Sequence, residues 1–195
     1  MTDAQAPTER EIFLTGIGGQ GVQLAAKILA LAATAEGRNV MSLGTYGGTM
    51  RGGNTDSTVV VATGRISSPP VVSRGWSAIV VHPRYWPPLR AKLRPNGVVV
   101  FDSTLVEGEL DVGDATGFPV PASTLARESG ATRAGSLVLL GAYGAITGLV
   151  AEASLLAAVG DALPPYRREH LAANLAAIRA GGRAVTALAA PAWAA

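Results

Sequence analysis

Two glycine-rich segments carry the residue types that could contact an anion or a nucleotide. The first follows the apolar run 12–14 and reads Gly16-Ile17-Gly18-Gly19-Gln20-Gly21. A strand, a glycine turn and a helix in this order present free backbone N–H groups at a helix N-terminus, where a phosphate or another anion can bind. We therefore take five residues as candidates for cofactor binding or for facing an active site: Gly16, Gly18, Gly19, Gln20 and Gly21.

The spacing of Gly16, Gly18 and Gly21 fits the dinucleotide fingerprint, but the expected ribose partner is missing. NAD-binding folds place an acidic residue at the end of the second strand, about 20 residues further on. Here that strand ends in Leu43-Gly44-Thr45, with neither an acid nor an Arg for a 2′-phosphate. NAD(P) binding is therefore weakly indicated, and the alternative is a tight crossing in which glycines let two backbones approach.

The second segment follows the second predicted strand and reads Tyr46-Gly47-Gly48-Thr49-Met50-Arg51-Gly52-Gly53-Asn54. This position predicts that it lies at the carboxyl edge of the sheet, where α/β proteins bind ligands. Arg51 offers a rigid fork of donors for a carboxylate or phosphate, and glycines allow close approach. The alternative is a solvated loop. The candidates here are Tyr46, Gly47, Arg51, Gly52, Gly53 and Asn54.

The surrounding pattern of strands and helices predicts the frame that holds these segments. Strands are expected at 11–15, 39–43, 56–63, 78–81 and 98–101, and helices at 20–36, 85–93, 137–149, 153–163 and 168–188. Their alternation predicts an α/β, Rossmann-like, doubly wound and mostly parallel sheet, with an inserted antiparallel hairpin at 56–72 and a helical C-terminal third. We expect a flexible extension at 1–10, one domain at 11–188 and a frayed tail at 189–195.

Composition restricts the partners of the chain. It has 195 residues, of which 48% are hydrophobic and 15% charged, against about 25% charged in typical proteins. This shortage of charge favours a large interface with a partner. A net charge of +2 without a basic run argues against nucleic acid. The absence of Cys excludes disulfides, thiolate-bound zinc and cysteine-ligated clusters within this chain.

Membrane insertion is not expected either. The apolar stretch 134–151 contains four glycines and is shorter than the roughly 20 apolar residues that a spanning helix needs. We interpret it as a buried helix. Residues 1–10 are polar and do not read as a signal peptide. The sequence therefore predicts a cytoplasmic protein with no membrane partner.

Four single residues are interpreted as lying outside the ligand site. His82 ends an apolar strand and is followed by Pro, which favours a structural role over ligand binding. Asp102 ends another strand, where capping the next turn is favoured over holding a ligand hydroxyl. Trp86 is expected in the core or an interface, and His170 is expected to face solvent.

Taken together, the two glycine segments resemble the gamma subunit of 2-oxoacid:ferredoxin oxidoreductases of the pyruvate, 2-oxoglutarate, ketoisovalerate or indolepyruvate type. The shared pattern is GxGGQGV, an Ala-rich helix, then YGxxxRGG and a strand. Residues 98–103 and 171–175 are similar to that family as well. The chain departs from it at Ser136, where family members often carry Asn before the apolar helix, and in the segment 83–88, which has no assignable family role.

The resemblance implies that the chain is one subunit of a multi-subunit enzyme. Such an enzyme oxidatively decarboxylates a 2-oxoacid to acyl-CoA and CO2 and passes electrons to ferredoxin or a similar acceptor. It assigns thiamine diphosphate, Mg and iron–sulfur clusters to partner subunits, with CoA as co-substrate. The implied partners are thiamine-binding alpha and beta subunits and a ferredoxin-like iron–sulfur subunit or ferredoxin. The chain itself would supply no catalytic or metal-binding residue and would be inactive alone.

Within that resemblance, Arg51 is the best candidate for an anion contact, either to CoA phosphate or to a carboxylate of a neighbouring subunit. Two rival functions remain open: a stand-alone nucleotide-binding or sensor protein of Rossmann type, and a purely structural subunit. The sequence leaves the 2-oxoacid, the stoichiometry and the electron acceptor open.

Overall fold

A computed structural model describes residues 8–46, 52–69 and 71–193 of the chain, and these residues form an α/β fold around a six-stranded sheet. The strands are β1 (Glu9–Ile17), β2 (Asn39–Tyr46), β3 (Asn54–Ala62), β4 (Gly75–Val80), β5 (Leu93–Asp102) and β6 (Thr116–Val120). The α-helices are α1 (Val22–Ala35), α2 (Pro87–Arg90), α3 (Ala122–Glu128), α4 (Gly135–Thr147), α5 (Glu152–Ala162) and α6 (Leu171–Arg183).

The sheet is mostly parallel, as predicted, with the strand order β2-β3-β1-β4-β5-β6. Strand β3 is antiparallel to both of its neighbours, whereas β1, β4, β5 and β6 are mutually parallel. Asp56 of β3 is paired with Thr15 of β1 on one side and with Thr45 of β2 on the other. Because β1 and β2 are both antiparallel to β3, they run in the same direction. Their carboxyl ends therefore lie at the same edge of the sheet.

The inserted hairpin has different bounds from those expected, since it is formed by β2 and β3 and not within residues 56–72. Strand β3 ends at Ala62, and residues 63–69 are not a strand. The Glu9 carboxylate accepts hydrogen bonds from the Ser67 and Ser68 amides and from the Ser68 hydroxyl. These bonds hold the segment in an irregular conformation, so its amides do not form a ladder.

One face of the sheet carries the long helices and the larger core. Strand residues such as Ile12, Leu14 and Val59 pack there against buried residues of α1, α3, α4, α5 and α6. Helix α4 is buried on nearly all sides, and its Tyr143 hydroxyl lies 2.8 Å from the Ser77 Oγ. The predicted buried helix is thus confirmed. In the described part of the chain, every helix is too short or too polar to span a bilayer.

The other face is covered by short elements. Phe13, Val60 and Val99 pack against Trp86 and Leu89, which lie in and beside the 3-10 helix Pro83–Tyr85 and the short helix α2. The predicted helix at 85–93 is wrong in length, because α2 has four residues and β5 already begins at Leu93. Pro87 and Pro88 fit a first helical turn, whose N–H groups need no partner, but they do not sustain a longer helix here.

Helices α4 and α6 approach each other backbone to backbone. A Cβ on Gly141 would overlap the Ile178 carbonyl oxygen, and a Cβ on Gly181 would overlap the Val138 carbonyl oxygen. These two glycines are therefore required by close approach. Without a side chain at either position, the backbone of α6 can pack directly on that of α4.

The prediction of a frayed tail from residue 189 is wrong as far as Trp193. The amides of Leu188, Ala190 and Ala192 donate to the carbonyls of Ala145, Ile146 and Thr147 at distances of 2.7, 3.0 and 2.7 Å. The last carbonyls of a helix lack partners within the helix, and the tail supplies them to the end of α4. At the other terminus, residues 9 and 10 belong to β1 and not to a flexible extension, while residues 1–7 lie outside the described residues.

Candidate functional site

The first glycine segment forms a tight turn between β1 and α1. The Ile17 amide donates to the Gln20 Oε1 at 2.8 Å, and the Gln20 amide donates to the Ile17 carbonyl at 3.1 Å. Gly19 and Gly21 have φ values of +100° and +80°, a region that side-chain-bearing residues rarely adopt. The Gln20 carboxamide therefore closes the turn through its Oε1, and the two glycines supply the backbone angles.

The glycines of this turn serve different purposes. A Cβ on Gly16 would lie 2.9 Å from a Val22 methyl group, and a Cβ on Gly21 would lie 2.7 Å from the Ser136 Oγ. A Cβ on Gly19 would meet nothing within 4 Å. Gly16 and Gly21 thus permit close packing, while Gly19 is the exposed point of the turn.

The second glycine segment contacts the first directly. The Gly18 amide donates to the Gly53 carbonyl at 2.9 Å, and Gly53 is buried. Gly52 is exposed, with φ of +78°. Tyr46 is the last residue of β2 and lies at the carboxyl edge of the sheet, whereas Gly47 and Arg51 lie outside the described residues. The described ends of the two segments therefore meet at the carboxyl edge of the sheet, the edge that the sequence predicted for the second segment.

Two long helices begin at this edge. The N-termini of α1 and α4 are brought together by the contact between Gly21 and Ser136, since Gly21 is the N-cap of α1 and Ser136 is in the first turn of α4. Both first turns, which lie within the described residues, lack acidic side chains and side-chain caps. Unpaired amides and the helix dipoles give such termini a partial positive charge. The α1 terminus therefore favours an anion, whereas the buried Asp102 carboxylate already lies near the α4 terminus, with its Oδ2 3.9 Å from the Cβ position of Gly135.

Asn54 begins β3 beside the turn and is paired with Asp56. Its Nδ2 donates to the Asp56 Oδ2 at 2.8 Å. The Asn54 Oδ1 and the Asp56 Oδ1 are buried and have no hydrogen-bond partner in the described part of the chain. Asn54 therefore has a local partner on its own strand.

Two polar residues at the ends of the central strands have local hydrogen-bond partners. Asp102 accepts from the amide and hydroxyl of Thr104 and from those of Ser123, at 2.5 to 3.1 Å. His82 accepts at Nδ1 from the Arg84 amide at 3.2 Å. Burial, with a smaller contribution from the Arg84 charge, lowers the pKa of His82, although Asp102 opposes this. The predicted capping role of Asp102 and structural role of His82 are confirmed.

Other predicted single residues also lie as expected. Trp86 is buried, and its indole N–H donates to the Asp111 carbonyl at 2.8 Å. His170 is exposed. Across residues 8–46, 52–69 and 71–193, no group of three or more His, Cys, Asp or Glu side chains is arranged to hold a metal ion.

Gln23 is not among the residues predicted for the site. Its carboxamide bonds to β3 and lies against Gly44 of β2. The available signal was Gly44 itself, because a glycine inside a strand often marks a close approach by another group. Ser136 was noticed as a departure from the family pattern, but its contact with Gly21 was not foreseen.

A model of the pyruvate ferredoxin/flavodoxin oxidoreductase family matches residues 11–184. The chain belongs to this family. It is 30% identical over 178 residues to the 2-oxoglutarate synthase subunit KorC of Methanothermobacter thermautotrophicus, an alignment that covers 88% of this chain and 93% of that subunit. Other relatives are subunits of ketoisovalerate oxidoreductase and of pyruvate synthase.

Solved structures of this oxidoreductase family share the fold. The gamma subunit of a keto/oxoacid ferredoxin oxidoreductase from Geobacter sulfurreducens matches with a TM-score of 0.77 and 27% identity, over 91% of this chain and 96% of that one. The 2-oxoglutarate:ferredoxin oxidoreductase of Magnetococcus marinus, with 2-oxoglutarate, coenzyme A and succinyl-CoA bound, matches with a TM-score of 0.78 and 22% identity, over 92% of this chain and 32% of that one.

Family membership confirms the subunit function that the two motifs predicted. The homologues are gamma subunits of multi-subunit 2-oxoacid:ferredoxin oxidoreductases, and enzyme activity belongs to the assembled complex. A stand-alone dinucleotide-binding protein is not supported.

Proposed function

We propose that this gamma subunit binds the phosphate-bearing end of CoA at the carboxyl edge of its sheet, within a complex that oxidises a 2-oxoacid to acyl-CoA and CO2. The observation that carries the proposal is the hydrogen bond from Gly18 to Gly53, which joins the two glycine segments. A ligand at this edge would contact both segments at once. The candidate contacts are Gly16, Gly18, Gly19, Gln20, Gly21, Tyr46, Gly47, Arg51, Gly52, Gly53 and Asn54.

Electrostatics favour an anionic group at this position. The N-terminus of α1 has no acid in its first turn and no side-chain cap, and such a terminus stabilises phosphate. The exposed Gly19 leaves room for a ligand to approach the backbone. Arg51 would add a charged fork of donors to the same group.

The chemistry itself is assigned to partner subunits. Thiamine diphosphate with Mg, held by alpha and beta subunits, would supply the carbanion chemistry of decarboxylation. The 195 residues contain no Cys, so cysteine-ligated clusters that carry electrons to ferredoxin or a similar acceptor would be held outside them. The residues of this chain would bind and orient CoA and would perform no proton transfer.

Support for CoA as the ligand comes from the Magnetococcus marinus enzyme, which shares this fold and holds coenzyme A and succinyl-CoA. The relatives are named for 2-oxoglutarate, ketoisovalerate and pyruvate. These three acids form the substrate panel that we propose to assay.

The test is an Arg51→Ala variant in the complex reconstituted with its partner subunits. Loss of one charge-assisted contact should raise the KM for CoA roughly tenfold and change kcat less. Arg65→Ala is the matched control, because Arg65 is exposed beyond the end of β3, at the opposite edge of the sheet. Unchanged kinetics together with unchanged subunit association would sink the assignment of Arg51.

The rival function as a purely structural subunit predicts a different result. If the second glycine segment only holds the complex together, Arg51→Ala should weaken subunit association. The assembled fraction should then keep the normal KM for CoA. Size-exclusion chromatography of the same preparation separates these outcomes. Assembly with impaired turnover would exclude the structural role.

A further inference from the structure

Gln23, in the first turn of α1, is bonded to the hairpin that carries the second glycine segment. Its Nε2 donates to the Asp56 carbonyl at 2.7 Å, and the Ser57 hydroxyl donates to its Oε1 at 2.9 Å. Both ends of the carboxamide are therefore used. Ser57 is nearly fully buried, whereas Gln23 and Asp56 are half-buried and Gly44 is exposed, so the contact lies at the margin of the fold.

Gly44 on β2 leaves the space that this carboxamide occupies. A Cβ at Gly44 would overlap the Gln23 Oε1 and lie 3.0 Å from its Nε2. Gly44 is paired with Ser57 in the β2–β3 ladder, so the same carboxamide contacts both strands of the hairpin. Close approach, and not an unusual backbone angle, requires glycine at this position.

We infer that Gln23 is a positioning residue, which holds the β2–β3 hairpin against the first turn of α1 so that the Gly53 carbonyl stays beside the Gly18 amide. Gln23 lies two residues after Gly21, and its partner Asp56 lies three residues after Gly53. The carboxamide is thus a side-chain link beside the backbone link between the two segments. Its effect on activity rests on the proposed function, but its effect on the turn does not.

A double-mutant cycle tests the relation between Gly44 and Gln23. Gly44→Ala should destabilise the full chain in urea unfolding, because the added methyl group displaces the carboxamide. In the Gln23→Ala background the same change should have little effect, since the space is then empty. An equal effect of Gly44→Ala in both backgrounds would overturn the inference that this glycine serves Gln23.

Amide hydrogen exchange tests the positioning role itself. In Gln23→Ala, the Gly18 amide should exchange roughly tenfold faster, because the hairpin is no longer held beside it. Thr34→Ala is the matched control on the same helix, since the Thr34 hydroxyl is exposed and bonds to the Ala30 carbonyl of its own helix. Unchanged exchange at Gly18 in Gln23→Ala would overturn the inference.

The reconstituted complex separates this inference from the CoA proposal. If both hold, Gln23→Ala raises the KM for CoA several-fold with a smaller change in kcat, and Thr34→Ala changes neither. Faster Gly18 exchange with a normal KM for CoA would leave Gln23 as the positioning residue and count against CoA binding at this edge. Unchanged exchange would overturn the role of Gln23 even if Arg51→Ala supported CoA binding.

Discussion

The amide of Gly18 donates a hydrogen bond to the carbonyl of Gly53 at 2.9 Å, and this bond joins the two glycine segments of the chain. Both partners are backbone groups. The antiparallel course of β3 returns residue 53 to the end of β1 and so brings the two groups together. The sheet topology thus sets which residues meet, and the Gln23 carboxamide helps to hold them there.

The contact between Gly21 and Ser136 makes a testable prediction. Gly21→Ala combines a strained positive φ with a Cβ 2.7 Å from the Ser136 Oγ, and should lower the free energy of unfolding by about 2 kcal/mol or more. Gly19→Ala adds strain without a contact and should cost about 1 kcal/mol. Urea unfolding compares them. Adding Ser136→Ala to Gly21→Ala should restore part of the lost unfolding free energy. Equal losses in Gly21→Ala and Gly19→Ala would show that the Ser136 contact is unimportant.

The crossing of α4 and α6 predicts opposite effects for two helical glycines. Gly181→Ala would force a methyl group into the Val138 carbonyl, which cannot move without separating the helices, and should destabilise the chain by about 3 kcal/mol. Gly160→Ala on α5 is exposed and meets nothing within 4 Å, so its higher helix propensity should stabilise by up to about 1 kcal/mol. Thermal unfolding would contradict this account if both variants shifted Tm in the same direction.

The docked tail predicts that Trp193 contributes to stability. Its indole N–H donates to the Leu149 carbonyl at 3.0 Å, and its ring centroid lies 4.4 Å from the Arg38 guanidinium carbon. Trp193→Ala should therefore cost about 2 kcal/mol. Tyr166→Ala is the control, because Tyr166 is an exposed aromatic residue. Denaturation midpoints that are equal for the two variants would refute the docking of the tail.

His82 predicts a pH dependence at the edge of the sheet. Its pKa is lowered below 6.5 in the folded chain, first by burial and then by the Arg84 charge, against the opposing effect of Asp102. The unfolded chain therefore binds more protons below pH 6.5, and the His82 contribution to stability is lost as pH falls from there through the folded pKa. His82→Asn keeps an acceptor for the Arg84 amide and should flatten the stability profile over that window.

The matched control for this profile is His170→Asn, which alters an exposed residue and leaves His82 in place. Its curve of unfolding free energy against pH should keep the wild-type slope. A slope that is unchanged in His82→Asn would show that His82 does not link stability to pH.

The sequence predicted the edge at which the two glycine segments lie, because the order strand, glycine turn, helix is readable locally. It did not predict the neighbours of β3, since a strand rich in Thr and Val can pair with any of several strands. The tail was misjudged for a similar reason. Its hydrogen bonds to Ala145, Ile146 and Thr147 join backbone groups. The amino-acid composition of the tail does not predict such bonds.

The side chains at the site show the same limit. Gln20 was chosen as a candidate from its motif, and the structure directs its Oε1 back to Ile17. Gln23 was visible only as one of several polar residues on α1, because its partners Asp56 and Ser57 become neighbours only after β3 is placed. Long-range pairing, and not local propensity, decided each of these contacts.

The position of β3 between β1 and β2 also restricts the order in which the chain can fold during synthesis. Strands β1 and β2 are complete by residue 46, yet they share no hydrogen bond and have only β3 in common. The nascent chain thus carries two strands that lack their shared partner until residues 54–62 have left the ribosome. Once it emerges, β3 can pair on both of its sides. We expect ribosome-bound chains that stop before β3 to have no β-ladder in this part of the sheet, and chains that include it to bring the two glycine segments together for the first time.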